Sequence, residues 1–285
     1  MSVSKLRKAE MNRDAVRILD LDPAPVTLHV VVQERALIVT IDRPDKLNAL
    51  NGDVLDELAR VIEVVAQTPR SVIAGLVLIG SGDRAFIAGA DIAQMAHLTS
   101  REAVEFAARG QRVPDLLEEL DRPSIAAVNG YALGGGCEMA MGCDFIYATE
   151  NAIFGQPEVS LGLIPCFGGC TRLPQRVGVG RARELIATGR KFSAEQAAGW
   201  GLVNEVFPDR EALLAGAIRT IGELGAQAPG AVAAARQAIR AGHERGQHAG
   251  LAQERTGFGD MFDTADMREG TKAFLAKRPA QFTDR

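Results

Sequence analysis

The first part of the chain alternates between short apolar runs and longer stretches with helical spacing. Two β-branched runs, residues 26–32 and 36–41, are separated by three polar residues, a pattern that predicts a β-hairpin. Apolar residues recur at helical spacing over residues 53–66, which predicts an amphipathic helix. Residues 75–80 are apolar throughout, as expected for a strand that is covered on both faces of its sheet.

The alternation continues and then gives way to helices. A helix is predicted over residues 101–120, followed by strands over 124–128 and 145–148. Helical spacing then dominates residues 181–188, 193–198, 210–224, 231–242, 249–262 and 266–277, with one short strand at 202–207. The pattern predicts an α/β protein in three parts. These are an N-terminal surface extension (1–25), an α/β core (26–208) and a helical C-terminal region (209–285).

Composition narrows the class of protein. The 285 residues are 47% hydrophobic and 24% charged, as in soluble globular proteins. The net charge of −4 argues against binding to nucleic acid or to an anionic membrane. No apolar run approaches the roughly 18 residues that span a bilayer, and the acidic residues near the N-terminus do not fit a transit peptide. We therefore expect a cytoplasmic protein with no nucleic-acid or membrane partner.

The metal-ligating residue types show no site pattern. The four cysteines contain no CxxC pair, so reduced thiols are expected. The four histidines are scattered and match no metal spacing. We expect neither a metal nor a redox cofactor.

The most informative stretch is residues 129–138, Asn-Gly-Tyr-Ala-Leu-Gly-Gly-Gly-Cys-Glu, between a predicted strand and a predicted helix. Three glycines leave backbone N–H groups bare at a helix N-terminus, where unpaired donors and the positive end of the dipole favour negative charge. The carboxylate of Glu138 follows directly. A second small-residue loop spans residues 88–92, and a second carboxylate, Glu158, lies just beyond a predicted strand end.

Several familiar sites are excluded by these residues. The glycines do not have Rossmann spacing, because Met139 stands where the third glycine would be. The chain has no phosphate loop and no nucleophile elbow, and no histidine is placed to activate a nucleophile. The two small-residue loops and the two glutamates are compatible with an oxyanion hole built from both loops, beside carboxylates that move protons. Tight helix–strand packing at the glycines and a dipole role for Glu138 are equally compatible.

Three motifs in the right order resemble the crotonase, or enoyl-CoA hydratase/isomerase, superfamily. They are residues 88–92, 129–138 and 154–158, and the resemblance runs from about residue 26 to the end. It implies a crotonase-like spiral of ββα units, followed by a helical trimerisation region. The family's usual assembly implies a homotrimer or a homohexamer that is a dimer of trimers.

The resemblance also implies an activity and a set of site residues. Because both glutamates are present, it implies hydration of a trans-2-enoyl-CoA to a 3-hydroxyacyl-CoA, with coenzyme A as part of the substrate and no cofactor. The implied catalytic residues are Glu138 and Glu158, and the implied oxyanion donors are the N–H groups of Ala90 and Gly135. The substrate contacts implied in the same way are Lys46, Ala49, Ala88, Asp91, Ile92, Gly134, Pro157, Cys166 and Phe167.

Two departures from the family pattern leave the acyl group open. Ala93 stands where many hydratases have a lysine near the CoA phosphates, so Lys46 or a neighbouring subunit is expected to contribute instead. Cys166 and Phe167 stand where many hydratases have glycine and a small residue, beside the acyl pocket. The alternatives are a hydratase for branched or dicarboxylic acyl groups, of the methylglutaconyl-CoA type, and an enoyl-CoA isomerase. A non-catalytic relative that binds acyl-CoA or RNA is a further alternative.

Overall fold

A computed structural model describes residues 13–285 of the chain. Its strands are β1 Leu28–Gln33, β2 Ala36–Ile41, β3 Gly75–Gly80, β4 Ala85–Ile87, β5 Ser124–Val128, β6 Tyr131–Leu133, β7 Phe145–Thr149, β8 Ile153–Gly155, β9 Phe192–Ser193 and β10 Glu205–Phe207. Its α-helices span Gly52–Gln67, Ile92–Met95, Ser100–Glu119, Gly135–Gly142, Gly169–Val177, Val179–Thr188, Ala194–Gly199, Arg210–Gly225, Pro229–Arg245, Gln247–Met261 and Ala265–Leu275. Short 3₁₀ turns lie at Pro44–Lys46 and Glu158–Leu161.

From β3 to β8, consecutive strands belong alternately to two sheets. The larger sheet has the order β1-β2-β3-β5-β7-β10, and the smaller sheet has the order β4-β6-β8-β9. Each of β3, β5 and β7 is followed by a short strand in the smaller sheet, and a helical segment follows that strand. The repeated unit is therefore a strand, a second strand and a helix, which confirms the predicted spiral of ββα units.

Apolar side chains fill the space between the sheets and their helices. The larger sheet is parallel except for the β1–β2 hairpin, and β3 is buried along its whole length, as its uniformly apolar sequence predicts. A second, smaller core lies on the other face of this sheet, where Leu213, Ala217 and Ile221 of the Arg210–Gly225 helix pack against Val77 and Ile125.

The differences from the predicted elements are local. The pattern did not distinguish the three-residue strands β4 and β6 from loops, because neither is long enough to show a period. It also missed the Gly169–Val177 helix, which starts at a glycine and contains Pro174. The hairpin is confirmed, and its turn residues Glu34 and Arg35 both have positive φ.

The predicted N-terminal extension is in part packed against the core. Residues 13–18 are helical, and the side chains of Ala15, Leu19 and Leu21 are buried in the main core. Burial of these apolar side chains corrects the description of residues 13–21 as a surface extension, whereas residues 22–24 are exposed. The first twelve residues of that prediction lie outside the described part of the chain.

All four cysteines are free thiols, as predicted. In residues 13–285, no helix is both long enough and apolar enough to cross a bilayer.

Candidate active site

The carboxyl ends of three parallel strands lie side by side at one edge of the smaller sheet. β6 pairs in parallel with β4 on one side and with β8 on the other. Loops that leave such strand ends meet in space, as they do in ligand sites of other parallel sheets. Residues 88–91 follow β4, residues 134–136 follow β6 and residues 156–158 follow β8. The topology therefore brings together the three segments that the sequence motifs had indicated.

Gly134 and Gly136, in the turn after β6, cannot be replaced by residues with side chains. Gly134 has a φ of +51°, and its N–H donates to the carbonyl oxygen of Gly155 at 2.9 Å. A Cβ on Gly136 would lie 2.0 Å from the carbonyl oxygen of Ile87, so the helix that begins here touches β4 directly. Both the backbone conformation and this close approach require glycine.

Two backbone N–H groups at this edge have no internal acceptor. Leu50 N–H donates to the Gly89 carbonyl and Asp91 N–H donates to the Leu50 carbonyl, both at 2.8 Å. These two bonds use the Gly89 carbonyl and the Asp91 N–H, on either side of Ala90. The Ala90 N–H takes part in neither bond. Gly135 is the first residue of its helix, where an N–H has no intrahelical partner. In residues 13–285, neither of these N–H groups donates a hydrogen bond.

Glu138 is a buried carboxylate held by backbone donors. Its Oε1 accepts hydrogen bonds from the N–H groups of Phe167, at 2.8 Å, and Gly169, at 2.6 Å. Burial raises the pKa of Glu138 to about 7, and the negative charge of Glu158 adds to this rise. The two N–H donors and the charge of Arg172 oppose it. Glu138 therefore changes its protonation state near neutral pH.

Glu158 is half-buried at the start of the 3₁₀ turn after β8. A Cβ on Gly134 would lie 2.8 Å from Glu158 Oε1, so this carboxyl group sits against the glycine turn. With its amide nitrogen facing the carboxyl group, the fully buried side chain of Gln156 donates to both oxygens, at 2.9 and 3.2 Å. Burial raises the pKa of Glu158.

The two carboxyl groups therefore differ in how their protons are controlled. Two backbone donors stabilise ionised Glu138 against its burial, whereas the pKa of Glu158 is raised by burial without such a pair of backbone donors. Carboxyl groups in unlike environments can divide the roles of base and acid. Together with the free N–H groups of Ala90 and Gly135, they form a site that can bind a carbonyl oxygen and move protons beside it.

The loop that carries Ala90 is braced by residues from the N-terminal hairpin region. Arg43 donates to the carbonyl oxygen of Ala49 and forms an ion pair with Asp91, with Nη2 and Oδ2 3.1 Å apart. The buried Asn48 donates to the carbonyl oxygen of Ala85 at 2.9 Å. The sequence analysis did not identify this bracing by Arg43 and Asn48. It also missed Gln156, although Gln156 lies within the third motif.

The other residues predicted to contact substrate surround this edge at different depths. Ala49, Ala88, Asp91 and Gly134 lie in the braced loops, and Pro157 precedes the 3₁₀ turn of Glu158. Lys46 and Ile92 are exposed at the ends of the same loops, Ile92 by 50%. Their contacts with a substrate stay predictions.

Cys166 is half-buried, whereas the side chain of Phe167 belongs to the hydrophobic core. The carbonyl oxygen of half-buried Cys166 accepts a hydrogen bond from the Gln111 side chain at 2.8 Å. The ring of Phe167 is buried: its centroid lies 5.4 Å from that of Phe106, and a Cβ on Gly110 would lie 2.1 Å from it. The backbone N–H of Phe167 donates to Glu138, and the same ring lies against Gly135, where a Cβ would be 3.0 Å from it. In the described chain, from residue 13 on, no group of three or more His, Cys, Asp or Glu side chains is arranged to hold a metal ion.

The fold and the site define an α/β protein of ββα units with paired carboxyl groups beside two free N–H donors. Comparison with known proteins agrees with this class. The family model described as enoyl-CoA hydratase/isomerase matches residues 32–285. The chain belongs to this family.

Individual relatives are similar to this chain over most of its length. The crotonyl-CoA hydratase of Syntrophomonas wolfei is 44% identical over 255 residues, which are 88% of this chain and 95% of the relative. The short-chain-enoyl-CoA hydratase of Clostridium acetobutylicum is 43% identical over 244 residues, covering 86% and 92%. The crystal structure of an enoyl-CoA hydratase from Bacillus anthracis superposes with a TM-score of 0.87 at 33% identity, covering 91% of this chain and 100% of that one. This similarity confirms the crotonase fold.

Proposed function

We propose that this chain is an enoyl-CoA hydratase that adds water across the C2–C3 double bond of a trans-2-enoyl-CoA and forms a 3-hydroxyacyl-CoA. The observation that carries the proposal is the pair of carboxyl groups, Glu138 and Glu158, against the turn that holds the free Gly135 N–H. The names of the relatives support the same activity.

The N–H groups of Ala90 and Gly135 bind the thioester carbonyl oxygen in this proposal. Hydration places negative charge on that oxygen when water attacks C3, and both donors are strongest when the charge has formed. Loss of one such donor typically costs roughly 3–4 kcal/mol of transition-state stabilisation. The start of the Gly135–Gly142 helix adds the positive end of its dipole.

The two glutamates move the protons. Ionised Glu138 accepts a proton from the water as the water oxygen bonds to C3, and the electrons of the C2–C3 double bond move toward the thioester oxygen. The enolate then takes a proton from Glu158 at C2, which restores the carbonyl. Glu138 ends protonated and Glu158 ionised, and proton exchange with solvent returns both to their starting states. The raised pKa values of both groups suit these roles near neutral pH.

The remaining contacts complete the substrate site. We assign Ala88, Asp91, Ile92 and Gly134 to the walls around the thioester, because they lie in or next to the loops that carry the donors. We assign Ala49 with them, because its neighbour Leu50 hydrogen-bonds to the Ala90 loop. Lys46 is exposed on the Pro44–Lys46 turn and is available to the CoA phosphates. Pro157, Cys166 and Phe167 belong to the segments that hold the two carboxyl groups, next to where the acyl chain leaves the thioester.

The proposed assembly is a homotrimer or homohexamer in the cytoplasm. The C-terminal helices expose large apolar side chains, including Phe258 at 70% and Phe274 at 82%, and contacts between copies would bury them. Sedimentation at micromolar concentration tests the assembly, and a monomer would contradict it.

A panel of acyl-CoA substrates tests the activity. We expect crotonyl-CoA to lose its conjugated-enoyl absorbance and to gain the mass of one water. Longer, branched and dicarboxylic enoyl-CoAs in the same panel define the acyl group. A product with the mass of the substrate and a moved double bond would show an isomerase instead. No turnover of any enoyl-CoA would refute the proposal.

A further inference from the structure

The loop of residues 164–169 supplies both hydrogen bonds to Glu138. Its N–H donors are those of Phe167 and Gly169, and Gly168 lies between them with a φ of +114°. Neither donor belongs to the interior of a strand or helix, so no regular ladder fixes their direction. The position of both N–H groups depends on what holds this short loop.

Arg172 holds the loop from the first turn of the following helix. Its side chain is 11% exposed, and its Nε and Nη2 bind the two carboxylate oxygens of Glu118 at 2.7 and 3.0 Å. Nη2 also binds Asp115 at 2.6 Å, and Nη1 donates to the carbonyl oxygen of Phe167 at 3.3 Å. A Cβ on Gly168 would lie 2.0 Å from Nη1, so the guanidinium covers this residue.

The guanidinium therefore connects the Ser100–Glu119 helix to the loop that binds Glu138. Glu118 and Asp115 come from that helix, and the Phe167 carbonyl belongs to the residue whose N–H binds Glu138. A planar fork that binds a carboxylate through two nitrogens fixes direction as well as distance. The side chain is thus anchored on one side and aimed at the loop on the other.

We propose that Arg172 is a positioning residue for the hydratase reaction: anchored by Glu118 and Asp115, it aims the Phe167 and Gly169 N–H groups at Glu138 and so keeps this carboxylate ionised. Arg172 acts through the loop, because its hydrogen bonds go to Glu118, Asp115 and the Phe167 carbonyl and not to Glu138 itself. The inference rests on the proposed role of Glu138 as the base.

The charged and titratable groups around Glu138 allow the effect of Arg172 on this carboxyl group to be separated from the others. Glu158 faces it from the turn after β8, and Arg172 faces it from the Gly169–Val177 helix. The thiols of Cys166 and Cys170 also lie within electrostatic range of Glu138, and both have pKa values raised chiefly by burial. The neighbouring Cys137 thiol has its pKa raised as well. Arg172 is therefore the one cation among these groups in the described chain.

The test compares Arg172→Gln and Arg172→Lys with a matched control on the same helix. Arg176→Gln is the control, because Arg176 donates to the carbonyl oxygens of Met141 and Cys143 and leaves the loop untouched. Hydration of crotonyl-CoA is measured from about pH 5.5 to pH 9, with kcat and KM separated.

We expect Arg172→Gln to lower kcat by about tenfold or more with little change in KM, since misplacing a group near the reacting atoms costs rate rather than binding. Loss of the cation and loosening of the two donors both raise the pKa of Glu138. The acid limb of the kcat/KM profile therefore moves to higher pH. Arg172→Lys restores the charge without the fork and falls between the wild type and Arg172→Gln. The control keeps the wild-type acid limb.

Glu118→Gln provides a second route if Arg172→Gln does not fold. It removes the anchor's charge and leaves the guanidinium in place, and we expect the same direction of change at smaller size. An unshifted acid limb in a folded Arg172→Gln variant would overturn the proposal. If that variant does not fold, unshifted acid limbs in both single variants, Glu118→Gln and Arg172→Lys, would overturn it. Wild-type protein without any hydration would instead refute the proposed function.

Discussion

Replacing Glu138 by glutamine should make the folded protein more stable at alkaline pH while removing hydration. Glu138 has a relative exposure of 1%, and its pKa is raised from 4.5 to about 7. The amide of glutamine carries no charge, and its oxygen still accepts the N–H groups of Phe167 and Gly169. The substitution therefore removes the cost of a buried charge and preserves the shape of the site.

The sign and size of the effect follow from the change of pKa on folding. The folded state binds the Glu138 proton more tightly than the unfolded chain. The resulting stabilisation is complete below pH 4.5, the ordinary pKa, and is lost as the pH rises through about 7. A shift of this size corresponds to a loss of about 3 kcal/mol. The unfolding free energy of Glu138→Gln relative to wild type should therefore rise by up to about 3 kcal/mol between about pH 5 and pH 8.5.

Urea unfolding of both proteins at several pH values and one fixed protomer concentration measures this difference. Glu195→Gln, an exposed substitution on the Ala194–Gly199 helix, is the matched control and should show a flat difference. A flat difference for Glu138→Gln across the same range would refute a raised pKa at this position. It would also remove the reason for assigning Glu138 as a base that works near neutral pH.

Three further predictions concern the site and the packing beside it. Glu158→Gln should lower kcat by about 10²–10⁴-fold with acyl-CoA binding retained in calorimetry; full activity would contradict its role as the proton donor. Gly135→Pro removes the proposed oxyanion N–H at the helix position that best tolerates proline, so kcat should fall by about 10²–10³-fold. Gly135→Ala keeps the N–H and should lose far less, and equal losses would argue against the donor. Gly110→Ala places a Cβ 2.1 Å from the Phe167 ring and should destabilise the fold by about 1–3 kcal/mol in urea unfolding, relieved by adding Phe167→Leu. If the changes in unfolding free energy of the two single variants simply add in the double variant, that contact would be contradicted.

The long periodic elements could be predicted from sequence because one physical signal dominates each of them. The helix predicted over residues 53–66 is observed at Gly52–Gln67, and the strand predicted over 75–80 is observed without change. The strand β6 could not be predicted, because three residues inside a glycine motif show no period. The Gly169–Val177 helix was missed since it begins at glycine and contains Pro174, both of which signal a break.

The segments of the site could be predicted from the sequence, but the residues that hold them in place could not. The segments that carry Ala90, Glu138 and Glu158 follow recognisable motifs, and the parallel pairing of β4, β6 and β8 brings them together. The residues that hold these segments could not be predicted, because their partners are distant in sequence. Arg172 binds Glu118 across 54 positions, and such pairs leave no local pattern.

Isotope incorporation during turnover of crotonyl-CoA tests the proposed hydration most directly. In ¹⁸O-labelled water the product should be 3-hydroxybutyryl-CoA with one labelled oxygen at C3, and in D₂O it should carry one deuterium at C2. With Glu158→Gln both labels should appear in the product about 10²–10⁴-fold more slowly, in step with the expected loss of kcat. Recovery of crotonyl-CoA with no hydroxylated product from the wild-type protein, or deuterium in an isomer without labelled oxygen, would contradict hydration by the two glutamates.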